Sequence, residues 1–104
     1  MELTYDREGH AFGEIDGVKF EGFCVPVTSQ YLIFIKAGNL FLGCGFFSMD
    51  TFDKIGIPAA RITCVSSIEQ MLNSNIVSVT KSAAAHGITE CMTGAEAIAK
   101  MKSA

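Results

Sequence analysis

Residues 41–48 (FLGCGFFS) most constrain what this chain can fold into. They begin as an apolar strand, continue through Gly-Cys-Gly and end at a possible helix start. Because glycine has no Cβ, residues 43–45 let the strand bend or let a backbone or a ligand approach closely. Ser48 is a favourable helix N-cap, and Asp50 lies in the first turn, where the helix dipole favours negative charge. The stretch predicts a change from sheet to helix just beyond Cys44.

The residues before this stretch predict antiparallel hairpins. Residues 2–7 alternate between apolar and polar side chains, as a half-buried strand does. The Asp-Gly pair at residues 16–17 suits a two-residue type I′ turn, which sets Glu14 opposite Lys19 on the flanking strands. These two residues carry opposite charges, so their pairing supports the predicted register.

A second hairpin follows. Residues 31–35 (YLIFI) are apolar on both sides, which favours an interior strand of the sheet. A two-residue turn at 38–39 returns the chain along residues 40–46 and sets Ile33 opposite Cys44. Cys44 then has an aliphatic neighbour, which favours a buried thiol.

After Ser48 the pattern alternates between helices and strands. Gly56 and Pro58 end a first helix, and residues 60–65 and 76–79 are typical of strands. Three further helices begin at capping residues, namely Ser66 or Ser67, Thr80 and Thr93. The sequence therefore predicts an α+β fold in a single small domain, residues 1–104. It has N-terminal β-hairpins, then β-α-β-α-β and two C-terminal helices, with the helices on one face of a mixed sheet.

Charged residues are scarce: they make up 18% of the 104 residues, whereas about 25% is usual in soluble proteins. This leaves apolar surface for another copy of the chain to cover, which predicts a homo-oligomer. A net charge of −3 and a pI near 5.2 give no basic surface for nucleic acid. The apolar runs are too short to span a membrane and no signal sequence is recognisable, so we expect a cytoplasmic protein.

The four cysteines, at positions 24, 44, 64 and 91, form no CxxC pair, and we expect reduced thiols rather than disulfides. A zinc site built from Cys44, Cys64, Cys91 and His86 would require these side chains to converge, which their spacing does not favour. We therefore predict no metal and no cofactor. His10 is expected in a loop or at the edge of a strand.

The candidate site residues are Gly43, Cys44, Gly45, Ser48 and Arg61. Arg61 is expected on a neighbouring strand, where its guanidinium could hold a carboxylate or a phosphate by two hydrogen bonds. The first hypothesis is a self-associating binding or assembly module with a small anionic ligand near Cys44. The alternative is a cysteine-dependent enzyme or a thiol redox sensor that uses Cys44, because a nearby helix N-terminus stabilises a thiolate. The competing structural roles are a buried hydrophobe for Cys44 and an ion pair for Arg61.

The second half of the chain resembles the YunC-like family, a bacterial and archaeal family of unknown function. Several short matches between residues 40 and 101 carry the resemblance: Cys44-Gly45, Arg61, residues 67–72 (SIEQML), 77–80 (VSVT), 87–88 and 92–97 (MTGAEA). The family often has an arginine where this chain has Ala95. The resemblance implies a small mixed α/β domain in the cytosol, and it implies no particular reaction.

Overall fold

The computed structural model describes residues 3–7, 9–45, 47–63 and 65–101. Its elements in chain order are β1 (Thr4–Arg7), β2 (His10–Ile15), β3 (Val18–Val27), β4 (Gln30–Ala37), β5 (Leu40–Gly43), α1 (Met49–Ile55), β6 (Ala59–Arg61), α2 (Ile68–Asn73), β7 (Ser78–Val79), α3 (Lys81–Ala85) and α4 (Gly94–Lys100). The described strands form a seven-stranded sheet in sequence order, β1 to β7. The β5–β6 pair is parallel, and the other neighbouring pairs in this sheet are antiparallel. The predicted α+β fold with a mixed sheet is confirmed.

The first hairpin has the predicted turn and register. Asp16 and Gly17 both have positive φ angles, 49° and 85°, as a type I′ turn requires. Glu14 is the cross-strand partner of Lys19. A type I′ turn twists with the same handedness as the strands that it joins. Two residues are therefore enough to fix the register of the hairpin.

The second hairpin also has the predicted register, with Phe34 opposite Gly43. Just beyond the paired residues, the Cys44 amide donates to the Ile33 carbonyl at 3.1 Å. The Ile33 amide donates in turn to the Cys44 sulfur at 3.4 Å. The expected position of Cys44 beside Ile33 is therefore confirmed.

Three strands are shorter than predicted. β5 ends at Gly43 rather than at residue 46, since the chain turns at once and the Phe47 amide donates to the Cys44 carbonyl. β6 and β7 are confined to Ala59–Arg61 and Ser78–Val79. β7 starts late because the backbone of Ile76 bonds to residues 91 and 92 instead of to the sheet. The parts of these predictions that concern Glu2, Phe46 and Cys64 lie outside the described residues.

Helices pack on both faces of the sheet, so the prediction of one covered face was wrong for α1. On one face, a Cβ at Gly22 of β3 would lie 2.6 Å from Ile68 of α2, and α4 packs against β2 and β3 on that side. On the other face, the rings of Phe52 of α1 and Phe41 of β5 lie 4.9 Å apart. Phe41 and Leu42 point to opposite faces because they are adjacent in a strand, and Leu42 is in register with Gly22 through β4.

The core lies between the sheet and the α2–α4 pair. Its largest fully buried apolar side chains are Ile33, Ile35, Leu40, Leu42, Ile62, Ile68, Met71, Leu72, Ile88 and Ile98. α2 and α4 come close together at Gly94, where a Cβ would lie 2.5 Å from the Met71 carbonyl oxygen. Within the described part of the chain, no helix has the length and apolar character needed to cross a membrane.

Candidate functional site

One line of cross-strand partners crosses the sheet on the face that carries α1. We call this line the transverse row, and it consists of His10, Phe23, Phe34, Gly43, Arg61 and Ser78, from β2 to β7. Directly paired residues lie on the same face of a sheet, so the row has the His10 imidazole at one end and the Arg61 guanidinium beside Ser78 at the other. Aromatic rings lie between them.

The Arg61 end of the transverse row opens into a cavity of about 530 Å³. Its lining includes Gly45, Phe47, Ser48, Asp50, Arg61 and Ser78. β6 and β7 supply the arginine and Ser78, and the connection from β5 to α1 supplies the others except Asp50, which lies in the first turn of α1. These segments meet because β5 and β6 are parallel, with Gly43 paired to Arg61. The chain that leaves the carboxyl end of β5 therefore passes directly beside Arg61.

Two polar atoms in this cavity wall are buried without a hydrogen-bond partner among the described residues: Nε of Arg61 and Oγ of Ser78. Within the same residues, Arg61 also has no carboxylate within ion-pairing distance. The ion pair considered for Arg61 is therefore not found in the described structure. A buried donor without a partner costs about 1–3 kcal/mol, and more when the group is charged.

Ser48 lies at the N-cap position of α1, as predicted, but its side chain makes no capping hydrogen bond. Ser48 is also one of the residues that line the cavity. Gly43 lies behind the cavity wall, where a Cβ would be 2.7 Å from the Phe47 ring. The absence of a side chain at Gly43 therefore lets Phe47 pack across β5 and form one wall of the cavity.

Cys44 is placed differently from the other candidate residues. Its side chain is 4% exposed and belongs to the core, and its sulfur accepts the Ile33 amide hydrogen bond. It is not among the residues that line the cavity. The structure thus brings Gly45, Ser48 and Arg61 together at one opening, with Gly43 and Cys44 packed behind them.

Ser78 was not among the site residues predicted from the sequence. Ser78 lies beside Arg61 because β7 pairs with β6 in that register, and the sequence between these strands contains no two-residue turn from which the register could be read. Asp50 lies in the first turn of α1, as predicted, and it is exposed. The same residue also lines the cavity.

At the other end of the transverse row, His10 bridges three strands. It begins β2, which agrees with the expected strand edge, and it is only 8% exposed. Its Nδ1 bonds to the carboxylate of Asp6 on β1, and its Nε2 lies 2.9 Å from the Glu21 carboxylate on β3. Two ionised carboxylates are both satisfied only when both ring nitrogens donate a proton. Sequence spacing did not predict this cluster, because strand pairing alone brings the three residues together.

Between the two ends of the transverse row, the rings of Phe23, Phe34 and Phe41 form an aromatic strip across the sheet. Phe23 and Phe34 stack with centroids 4.8 Å apart, and Phe34 and Phe41 stack at 5.6 Å. Phe52 of α1 then covers Phe41. α1 lies over the β5 end of this aromatic strip, whereas Phe12 on β2 is 41% exposed.

The remaining thiols and His86 do not form a metal-binding set in the described structure. Cys24, Cys44 and Cys91 are free thiols, and no group of three potential ligands converges among the residues described. Burial, and to a lesser extent the charge of Cys44, raise the pKa of the Cys24 thiol. His86 ends α3, and its Nδ1 donates to the Ser82 carbonyl at 2.8 Å. Cys64, the fourth proposed zinc ligand, lies outside the described residues.

Comparison with known proteins identifies the family of this chain. Residues 43–101, more than half of the 104 residues, match the family described as a domain of unknown function, DUF1805, and the chain belongs to that family. The cavity residues named above all lie within the matched segment.

A solved structure extends the likeness to nearly the whole chain. The crystal structure of TA1206, a protein of unknown function from Thermoplasma acidophilum, is similar to this chain with a TM-score of 0.83 and 26% sequence identity. The similarity covers 93% of this chain and 98% of TA1206. No curated protein matches the chain.

Proposed function

We propose that the protein is a binding module for a small anion, with Arg61 as the cation that recognises it. One observation carries the proposal: Arg61 lines the cavity, and its Nε is buried without a hydrogen-bond partner among the described residues. Burying a guanidinium without a partner is unfavourable. An anion in the cavity offsets this cost through its negative charge, because Arg61 borders the cavity.

The groups around Arg61 suit an oxyanion. A guanidinium presents its N–H donors in a planar fork that matches a carboxylate or phosphate by two parallel hydrogen bonds. Ser48, which is exposed, lines the same cavity and supplies a further hydroxyl donor. The ligand is therefore small, carries an acidic group and binds with that group toward β6.

Titration of the protein with acetate, phosphate and sulfate, followed by NMR amide shifts, tests the proposal. We expect at least one of these anions to shift the amides around the cavity. Arg61→Gln should weaken that binding roughly 10- to 100-fold, because a hydrogen bond to a charged group contributes about 1.5–3 kcal/mol. Lys54→Gln is the matched control, since it removes an equal charge from the last turn of α1, outside the cavity lining. Equal effects of the two substitutions, or no shifts at all, would contradict the proposal.

Self-association is the second proposed property, and the half-covered aromatic strip favours it. Exposed apolar patches on soluble proteins commonly mark interaction sites, and Phe12 is 41% exposed beside this strip. We expect light scattering to give at least twice the chain mass of 11.2 kDa. Phe12→Glu should lower that mass, whereas Val77→Glu, at a similarly exposed apolar residue before β7, should not. A wild-type mass of 11.2 kDa at micromolar concentration would rule out the association.

Three finer predictions stay open. The identification as YunC-like is more specific than membership of the DUF1805 family. A cytoplasmic location and a domain that spans residues 1–104 also remain predictions. The cysteine-dependent alternative is the least favoured, because Cys44 is 4% exposed and is not part of the cavity lining.

A further inference from the structure

The cavity beside Arg61 holds two opposite charges that do not pair with each other. Arg61 and Asp50 both line it, yet no ion pair joins these two described residues. A cation and an anion that face one cavity at a distance are arranged for a ligand with both charges. We infer that the ligand is a zwitterion, an α-amino acid. This inference rests on the proposed anion site and specifies its ligand.

Each charge has a clear partner on such a ligand. The α-carboxylate binds the Arg61 guanidinium, which suits its planar geometry. The α-ammonium group faces Asp50, whose position in the first turn of α1 is fixed by the helix. Asp50 also sets the class of anion, because a second negative charge in the cavity disfavours a phosphate dianion more than a carboxylate.

The size and walls of the cavity indicate the side chain of the ligand. A volume of about 530 Å³ falls within the 300–1,000 Å³ that is usual for small-molecule sites. Phe47 and Met49 contribute apolar wall beside the charged groups. An amino acid with an apolar side chain, such as leucine, fits this division into a charged end and an apolar end.

The test compares three probes that differ by one group each. L-Leucine carries both charges, 4-methylpentanoate lacks the amine, and 3-methylbutylamine lacks the carboxylate. We expect leucine to bind about two- to fivefold more tightly than 4-methylpentanoate, the range for an exposed charge pair. The amine alone should not bind measurably. Asp50→Asn should abolish the difference between leucine and 4-methylpentanoate, and Glu90→Gln, which removes a charge outside the cavity, should preserve it.

A second measurement does not depend on the variant. In the wild-type protein, leucine should shift the Asp50 amide resonance more than 4-methylpentanoate does at equal saturation. Equal affinities for leucine and 4-methylpentanoate, or a preference that survives Asp50→Asn, would overturn the amino-acid assignment and leave the anion site standing. If no carboxylate or phosphate binds in an Arg61-dependent way, the proposed function itself fails.

Discussion

Replacing Thr80 by valine should destabilise the protein and disturb the cavity beside Arg61. The Thr80 side chain is fully buried, and its hydroxyl makes three hydrogen bonds. It accepts from the Ala59 amide at 3.0 Å and from the Ala83 amide at 3.3 Å, and it donates to the Ile57 carbonyl at 3.0 Å. One hydroxyl thus holds the start of β6 and caps α3.

Valine has nearly the same shape as threonine, so Thr80→Val removes these hydrogen bonds with little change in volume. The Ala59 amide, which is fully buried, then lacks a partner at a cost of about 1–3 kcal/mol. Loss of the α3 cap costs about 1 kcal/mol more. We expect a total of roughly 2–4 kcal/mol, a large part of the 5–15 kcal/mol usual for the stability of such domains.

Urea unfolding followed by circular dichroism measures this loss as a lower midpoint at an unchanged slope. Thr80→Ser is the control, because it keeps the hydroxyl and deletes only a methyl group. It should cost about 1 kcal/mol. If Thr80→Ser destabilises the protein more than Thr80→Val does, packing of the methyl group holds this junction and the hydrogen-bond argument is wrong.

Three shorter predictions concern other parts of the fold. Gly94→Ala should lower the free energy of unfolding by about 1–3 kcal/mol in urea titrations, because its Cβ meets the Met71 carbonyl oxygen; an unchanged midpoint would show that α2 and α4 can separate freely. His10→Asn should speed amide hydrogen exchange at β1 more than at β5, since the bridge between two carboxylates is lost. If exchange rises equally at both strands, His10 stabilises the whole protein rather than β1. Iodoacetamide should label the exposed Cys91 at neutral pH and leave the buried Cys44 unmodified until the protein unfolds; rapid labelling of Cys44 in the folded protein would restore the cysteine-dependent alternative.

The sequence predicted the antiparallel half of the sheet because its turns are short. Two residues at 16–17 and two at 38–39 fix which strand positions meet, so Glu14 opposite Lys19 and the contact of Ile33 with Cys44 follow directly. The helix starts were also predicted from neighbouring residues alone. At Thr93 the predicted start is present, with a capping box.

The same reasoning could not locate the ends of β6 and β7. The start of β7 depends on Ile76, whose backbone bonds to residues 91 and 92, about 15 residues further along the chain. No local pattern at Ile76 distinguishes a sheet partner from a loop partner. The sequence therefore predicted the existence and order of these strands, and tertiary contacts set their lengths.

The candidate site shows the same difference between residues that local sequence predicts and residues that strand pairing brings in. Gly45 and Ser48 were predicted from the strand-to-helix signal, and both line the cavity. Ser78 enters through the pairing of β7 with Arg61, and the cluster around His10 arises from three adjacent strands. These two groups depend on register between strands, which a single sequence specifies only where a short turn joins them.

The position of the cavity follows from the one pair of neighbouring strands in the described sheet that run in the same direction. In the described sheet, β5 and β6 are its parallel pair, and parallel strands require a crossover rather than a tight turn. The chain must therefore leave the sheet after Gly43, cross over through α1 and return, which leaves a gap at the carboxyl end of β5. Because the carboxyl ends of parallel strands lie at the same edge, Arg61 at the end of β6 faces that gap. The crossover thus explains why the arginine, the N-cap serine and Asp50 surround one cavity, although residues 48 and 61 are separated by a helix in the sequence.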